Sequence, residues 1–507
     1  MHLNKLAAEY GDKPAIVMGA SGDSLSYREL EARSNQIAHL FRERGLRPGD
    51  HIAILMENRL EMFPVAWAAQ RLGLFYAPVN WHLSQDEASY IVDNCEASLL
   101  ISSSSLEPVA MAAASSASRL TSRLVVGEPV EGVQHLDDAI AGLSPEPLDD
   151  EVEGYYMFYS SGTTGRPKGI LPELTGAPFG SGLSIDHTMV GAFSFNSETR
   201  FLSTGPLYHA APLAWCMGTV RNGGTVVVME KFDAETVLRL IDEYLITHAQ
   251  FVPTMFVRML KLAEDIKSAY DVSSVRLAIH AAAPCPIEVK DKMIAWFGPT
   301  LVEFYAGSEG NGFFMIDTPT WLEHKGSVGQ AMIGVVHICD DDGNELKPLE
   351  IGTVWLSDNR RFEYHGDPEK TAGAYNDKGW STLGDLGHVD EDGFLYLSDR
   401  RTDLILSGGV NIYPREIEDA LALHPAVVDV AVIGIPDEEM GQSVHAVVQP
   451  ADPHAVGPEL ADELIAFCRE RLAHYKAPRS VSFEEIPRLP SGKVLKRSLM
   501  KRYENAK

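Results

Sequence analysis

Tyr159-Ser160-Ser161-Gly162-Thr163-Thr164-Gly165-Arg166-Pro167-Lys168-Gly169 places four aliphatic hydroxyls, three glycines, an arginine and a lysine within eleven residues. Glycine lets a backbone turn its N–H groups towards an anion, and hydroxyls add donors that adjust to phosphate oxygens. Lysine contributes a mobile positive charge at the rim. The preceding Gly154–Tyr159 is aromatic and β-prone, so the loop is expected at a strand end, where α/β proteins hold phosphates. A Gly/Ser/Thr cluster is most often plain surface loop. A Walker-type loop is excluded by spacing, since Gly162-Thr-Thr-Gly165 is not GxxxxGK[ST] and glycine follows Lys168.

The chain of 507 residues exceeds what a single core usually supports, so two or more domains are expected. Its formal net charge of −28 speaks against nucleic acid or an anionic membrane as partner, both of which require a basic face. Cys95, Cys216, Cys285, Cys339 and Cys468 are scattered, with no CxxC pair and no histidine cluster at metal-ligand spacing. They read as free buried thiols of a reducing compartment. Met1–Pro14 has no signal-peptide pattern and no apolar run reaches about eighteen residues, so no integral membrane segment is expected and the localisation reads as cytoplasmic.

Helical period over Tyr27–Arg44 and Met62–Leu72 alternates with short apolar runs at His51–Met56, Phe75–Val79 and Ser98–Ser102. Such alternation implies a parallel, doubly wound sheet. Thr199–Tyr270 repeats it, with strands expected near Phe201–Ser203, Thr225–Met229 and Ala249–Val252, and another at Val275–His280. From Ser327 to Asp399, Gly-Asp-Asn turns punctuate short strands, a β-rich, barrel-like texture. Beyond Arg401 come a helix (Pro414–Leu423), strands (Val427–Ile435, Ser443–Gln449), a helix (Gly457–Leu472) and a basic tail. The expected fold is therefore α/β: a large N-terminal domain of two doubly wound βαβ subdomains plus a small β-barrel-like subdomain, then a small α+β C-terminal domain.

The opening string resembles, residue for residue, the signature of the adenylate-forming superfamily: acyl-CoA synthetases, peptide-synthetase adenylation domains and luciferases. The resemblance runs from Tyr27-Arg-Glu-Leu30 to Lys493. It implies ATP, Mg²⁺ and coenzyme A as cofactors and a small-molecule carboxylic acid as substrate. By that match Ser160, Ser161, Gly162, Thr163, Thr164, Gly165 and Lys168 cradle the β- and γ-phosphates, with Thr164 a further Mg²⁺ ligand. Phe304-Tyr305-Ala306-Gly307-Ser308-Glu309 resembles the family's Tyr-Gly-x-Thr-Glu block. It implies Glu309 on Mg²⁺, Tyr305 on adenine, and Ser308 where threonine is usual. Gly384-Asp385 resembles the ribose-gripping block, with Leu383 in place of its threonine.

Ser398-Asp399-Arg400-Arg401-Thr402-Asp403 resembles the hinge block. It implies a boundary between domains 1–398 and 399–507, Asp399 as the swivel of a mobile C-terminal domain, and Arg400 on ribose and phosphate. Thr402 replaces the family's lysine there. Leu489-Pro490-Ser491-Gly492-Lys493 implies Lys493 as the lysine bridging carboxylate and α-phosphate, and Gly408–Gly409 as a strand lining the pantetheine tunnel. Pro206-Leu207-Tyr208-His209 resembles the aromatic gate, which makes His209 a catalytic candidate beside Lys493 and Glu309.

The acyl pocket is assigned to His209, Ala282, Ala283, Ala306 and Gly307. Acetate-specific relatives close it with tryptophan after the Tyr305 position. Ala306 therefore points to a medium-chain, aryl or alicyclic acid. Loading of a carrier-protein thiol, an inactive nucleotide- or acyl-binding homologue and a luciferase-type oxygenase stay open, as does homodimerisation. One local departure is Leu171–Gly182. Pro172 and several glycines forbid the immediate helix expected after Lys168-Gly169, and the segment reads as a mobile flap.

Overall fold

A computed structural model describes residues 1–160, 167–400, 403–408, 410–437, 440–488 and 494–504, of which Asp399, Arg400 and Glu504 are described in backbone only. It divides into two compact units. Unit 1 is 1–250, 268–277 and 362–372; unit 2 is 251–267, 278–361 and 373–507.

Unit 1 carries two sheets. The first is wholly parallel and runs, edge to edge, Gln134–His135, Ser122–Val126, Leu99–Ser103, His51–Leu55, Phe75–Pro78, Tyr155–Tyr156. Its order reverses at His51–Leu55, so it is doubly wound, as the alternation of periods implied. The second aligns His248–Phe251, Arg200–Ser203, Thr225–Val228 and Pro14–Met18 in parallel, with antiparallel Ser24–Ser26 at the edge. The Tyr27–Glu43 helix begins in a capping box. Ser26 Oγ accepts from the Glu29 N–H at 3.2 Å and the Glu29 carboxylate accepts from the Ser26 N–H at 2.9 Å. Of the Ala/Ser-rich run Ala110–Ser118, the part up to Ser116 lies in a helix over Glu107–Ser116.

A buried charge network lies between these sheets. Arg221, at the end of the Ala210–Arg221 helix, pairs with Glu153 at 2.8 Å and with Asp186 at 3.0 Å. Arg71, at the end of Met62–Arg71, pairs with Glu31 at 2.6 Å and Glu151 at 3.2 Å. Burial pushes the Asp186 carboxyl upward against the pull of Arg221. The expectation of a mobile flap at Leu171–Gly182 is corrected here. No helix follows Lys168-Gly169, as proline dictates, but the second half of the segment is fastened. Gly180 and Gly182 N–H groups donate to Glu153 at 3.0 and 3.2 Å. Phe179 is buried edge-on against His2 and Trp67, below the Arg71 guanidinium. Gly180 has φ +95°, and a Cβ there would stand 2.9 Å from the His2 backbone.

In unit 2, Leu277–His280 and Leu301–Tyr305 are parallel, and Phe313–Asp317 and Gln330–Ile333 continue antiparallel. The β-rich stretch after Ser327 is a four-stranded antiparallel sheet, Val335–Cys339, Gly352–Ser357, Asp385–Val389 and Leu395–Arg400, over a core that includes Ile338, Val354, Leu356 and Leu395. The C-terminal part is the expected α+β unit. The hairpin Val427–Asp437/Gly441–Pro450, longer than the apolar run suggested, pairs with Ser480–Phe483 and packs on helices Pro414–Ala422 and Pro458–Arg471. Lys261 Nζ donates to the Val427 carbonyl and Arg415 Nη1 to that of Leu397, at 2.6 Å.

All five cysteines are free and buried. Among the described residues no helix is long and apolar enough to cross a membrane.

Removing one partner from a buried charge network leaves the others uncompensated. Glu153→Ala is therefore expected to lower unfolding stability by about 3 kcal/mol in urea titrations and to open the 172–182 segment to protease. Unchanged stability would show that the network carries no weight.

Candidate active site

In unit 1 the two ends of the Gly/Ser/Thr-rich string form an antiparallel pair, Lys168 opposite Ser160 and Gly169 opposite Tyr159, and Ile170–Leu171 pair onward with Glu363–Tyr364. The expected strand end is there, but the chain returns as a second strand rather than a helix. Lys168 Nζ lies 5.4 Å from the centroid of the Tyr364 ring, which holds the ammonium by its quadrupole. Ser161, Gly162, Thr163, Thr164 and Gly165 lie outside the described residues.

Tyr208 and His209 follow the Arg200–Ser203 strand, and His209 is the N-cap residue of Ala210–Arg221. Their approach is fixed by Asn58, which the sequence analysis missed. Its amide donates to the carbonyls of Gly205 at 3.1 Å and Met229 at 2.8 Å, and its oxygen accepts from the Leu207 N–H at 2.8 Å. An Asn-Arg pair after a strand gives no local signal of partners some 150 residues away. The His209 ring lies 4.5 Å from that of Tyr208, and its Nε2 is buried and unpartnered. Burial, with a smaller contribution from His82, lowers its pKa to about 4.

In unit 2 the ends of Leu277–His280 and Leu301–Tyr305 carry the second group. Tyr305 OH donates to Asp385 Oδ2 at 2.6 Å, so the two residues assigned to adenine and ribose stand side by side. Asp385 lies opposite Arg400 in the strand register, and Leu386 opposite Asp399. Beyond Tyr305 the chain turns, with the Gly310 N–H donating to Gly307 O at 3.0 Å; Ala306 and Ser308 are exposed and Glu309 is half-buried. Leu383, standing where the family has threonine, packs on Gly307 so closely that a Cβ at 307 would meet it at 2.2 Å.

Below the strand ends, Lys290 and Glu303 form a buried pair at 2.7 Å beside His280, whose Nε2 stands 3.7 Å from the Glu303 carboxylate and whose ring nitrogens make no hydrogen bond. Burial drives the His280 pKa down, and Lys290 adds to it. Ala282 holds φ +74°, a left-handed conformation that is costly for a residue with a side chain. Ala283 follows, half-buried.

Gly408 is exposed and its N–H donates to Met440 O at 2.8 Å. Gly409 and Lys493 lie outside the described residues, as do the side chains of Asp399 and Arg400. Among the described residues no group of three or more His, Cys, Asp or Glu side chains could hold a metal ion. One half-buried carboxylate such as that of Glu309 suits Mg²⁺, which is commonly held by one or two carboxylates with substrate phosphates and water.

A family model described as AMP-binding enzyme matches residues 3–362, and a second, AMP-binding enzyme C-terminal domain, matches 416–493. The chain belongs to the AMP-binding enzyme family. It is 34% identical over 494 residues to a feruloyl-CoA synthase of Amycolatopsis sp, covering 96% of each chain. It is 32% identical over 511 residues to the fatty acid–[acyl-carrier-protein] ligase ScoC of Streptomyces coeruleorubidus, covering 97% of this chain and 93% of that one. Among solved structures, o-succinylbenzoate CoA synthetase (MenE) from Bacillus subtilis, in complex with the acyl-adenylate intermediate OSB-AMP, superposes with a TM-score of 0.80 at 27% identity, covering 98% of this chain and 97% of that one.

The imidazoles make a pH prediction. His248 is buried, its Nε2 donating to Phe193 O (3.0 Å) and its Nδ1 paired with Thr247 Oγ1 (2.8 Å), and burial lowers its pKa to about 4. An unfolded histidine binds its proton near pH 6.5. Its stabilising contribution is thus complete above that pH and is lost as pH falls from 6.5 towards 4. The urea midpoint should fall across that window, and His248→Gln should make the fall shallower by one proton's worth. A slope unaltered by the substitution would refute this.

Proposed function

We propose that the chain is an ATP- and Mg²⁺-dependent acid–thiol ligase, an AMP-forming acyl-CoA synthetase acting on an acid larger than acetate. The observation that carries this reading is the 2.6 Å hydrogen bond from Tyr305 to Asp385. It joins a ring able to stack on adenine to a carboxylate able to grip a ribose diol, four residues before the carboxylate proposed for magnesium.

A carboxylate is a poor electrophile. In the first step its oxygen attacks the α-phosphorus of ATP, the bond to the β-phosphoryl oxygen breaks, and pyrophosphate leaves an acyl-adenylate. Charge builds on the transferring group, so catalysis is positioning and electrostatic stabilisation. Ser160, Ser161, Thr163, Thr164 and Lys168, with the backbone of Gly162 and Gly165, are assigned the departing phosphates. Lys493 is assigned to the carboxylate and α-phosphate, and Arg400 to ribose and phosphate. Glu309, with Thr164 and Ser308 nearby in role, would hold Mg²⁺, which supplies charge neutralisation on the phosphates.

In the second step the sulfur of coenzyme A, giving up its proton to solvent, attacks the acyl carbon, the bond from that carbon to the phosphate oxygen breaks, and AMP leaves. His209, neutral at physiological pH by its lowered pKa, can gate that approach without placing a cation beside the adenylate. The proposed division is an adenylation domain 1–398 and a mobile domain 399–507. Rotation about Asp399 would withdraw Lys493 and bring Gly408–Gly409 to the thiol tunnel. Ala282, Ala283, Ala306 and Gly307 leave the acyl pocket open. Acidic charge and buried free thiols suit work in the cytoplasm.

A carboxylate panel assayed for pyrophosphate release with and without coenzyme A tests this reading. Acid-dependent release, with acyl-CoA formed only when CoA is present, is expected. Product formed only on a carrier protein's phosphopantetheine would favour the second acceptor, in keeping with the ScoC-like relative. No release with any acid would overturn the assignment.

Lys493→Ala should abolish adenylation while sparing thioester formation from preformed adenylate; equal loss in both would refute the swivel. Ala306→Trp should shift preference towards short acids, and an unchanged chain-length profile would remove Ala306 from the pocket floor.

A further inference from the structure

Buried polar atoms in proteins are nearly always hydrogen-bonded, so an unpartnered one calls for an explanation. In unit 1 four cluster in two short stretches: Ser203 Oγ, Tyr208 OH, His209 Nε2 and Gln250 Oε1. Tyr208 and His209 belong to the gate already described. Ser203 and Gln250 do not.

Those two residues are register partners on adjacent parallel strands, so their side chains leave the sheet on one face. It is the face covered by Ala210–Arg221. Phe201, two residues before Ser203, stacks with Trp215 of that helix, and the Cys216 thiol is near enough to Ser203 to share a weak, long hydrogen bond with it. Burial holds that thiol protonated, its pKa near 12, and a thiol is a weak partner for a hydroxyl. Both positions are at the carboxyl ends of their strands, where open α/β sheets take ligands. Ser203 is fully buried and Gln250 nearly so. The strand ends are tied together by Thr204 Oγ1 donating to Gln250 O at 2.5 Å, so the side-chain amide is not needed to hold the backbone. The first turns of the covering helix are small there, with Ala210, Ala211 and Ala214. A leucine at 250 would fill the same volume and leave nothing unsatisfied. An amide in its place makes sense if a ligand completes it.

We propose that Ser203 and Gln250 form a polar subsite for a hydroxyl group on the acyl part of the substrate, so that the enzyme takes a hydroxylated medium-chain, aryl or alicyclic acid in preference to a bare hydrocarbon acid. The inference rests on the proposed ligase reading and narrows its substrate. A hydroxyl both donates and accepts, and so serves Gln250 Oε1 and Ser203 Oγ together. A keto oxygen only accepts, and a methyl group serves neither. Sites built to bind a substrate hydroxyl discriminate strongly against the analogue that lacks it, because their own polar groups are then left unpaired.

The test uses matched acids, 3-phenylpropanoate against 3-(4-hydroxyphenyl)propanoate and octanoate against 8-hydroxyoctanoate, with the full-length enzyme. The intact protein should prefer the hydroxylated member of at least one pair by tenfold or more in kcat/KM for pyrophosphate release. Gln250→Leu should bring that ratio close to one while the melting temperature holds or rises. Ser203→Ala should reduce the ratio independently, which keeps the test valid if the leucine variant fails to fold. Preference for the bare acid in both pairs, or a preference that survives both substitutions, would overturn the subsite.

If no acid releases pyrophosphate, the ligase reading fails. Calorimetric binding of the same pairs then judges the subsite alone. Tighter binding of the hydroxylated acid, lost in Gln250→Leu, upholds it; equal binding of both acids overturns it.

Discussion

The carboxylate of Glu153 is the constraint on which unit 1 is built. It receives Arg221 from the end of one sheet's covering helix, the amide of Gln70 from the other's at 2.8 Å, and two backbone N–H groups of the loop that follows the phosphate strand. Four donors on one buried acid satisfy its lone pairs, which is what makes an ion tolerable away from water. The same atoms set where the sheets meet and where the chain goes after Leu171. Asn58 performs a similar task without charge, holding the approach to Tyr208 and His209. The Tyr208–His209 turn and the loop after the Lys168–Leu171 strand are thus both held by buried polar contacts. The protein spends its strongest interactions on placing loops.

Much of this architecture was legible from period and punctuation. Helical spacing located Tyr27–Glu43 and Met62–Arg71, alternation with short apolar runs implied the doubly wound sheet, and Gly-Asp-Asn turns marked the antiparallel sheet. Tyr305 and Glu309 could be read as one block, and the pairing of Tyr305 with Asp385, eighty residues on, was expected only through resemblance; the structure places a hydrogen bond between those two.

What stayed hidden has its cause on other elements. Asn58 and Glu153 look like ordinary polar residues until partners distant in the chain arrive, and Gln250 sits in a four-residue strand, His248–Phe251, too short for its period to say which side chains are buried. The Leu171–Gly182 segment shows the opposite error. Its proline and glycines correctly forbade a helix, but composition reports local backbone freedom and cannot report that Phe179 and Glu153 remove it.

The buried cysteines bear on chemistry of the proposed kind. A mixed anhydride of a carboxylic acid and AMP reacts with any thiolate that can reach it, so an enzyme making one endangers itself. Here no thiol is presented to solvent. Burial raises Cys95 and Cys216 to about 12 and Cys468 to about 11, and it moves Cys285 and Cys339 in the same direction. The chain therefore offers its own intermediate no competing nucleophile of that class. The acceptor must be brought from outside, which protects the catalyst from acylating itself.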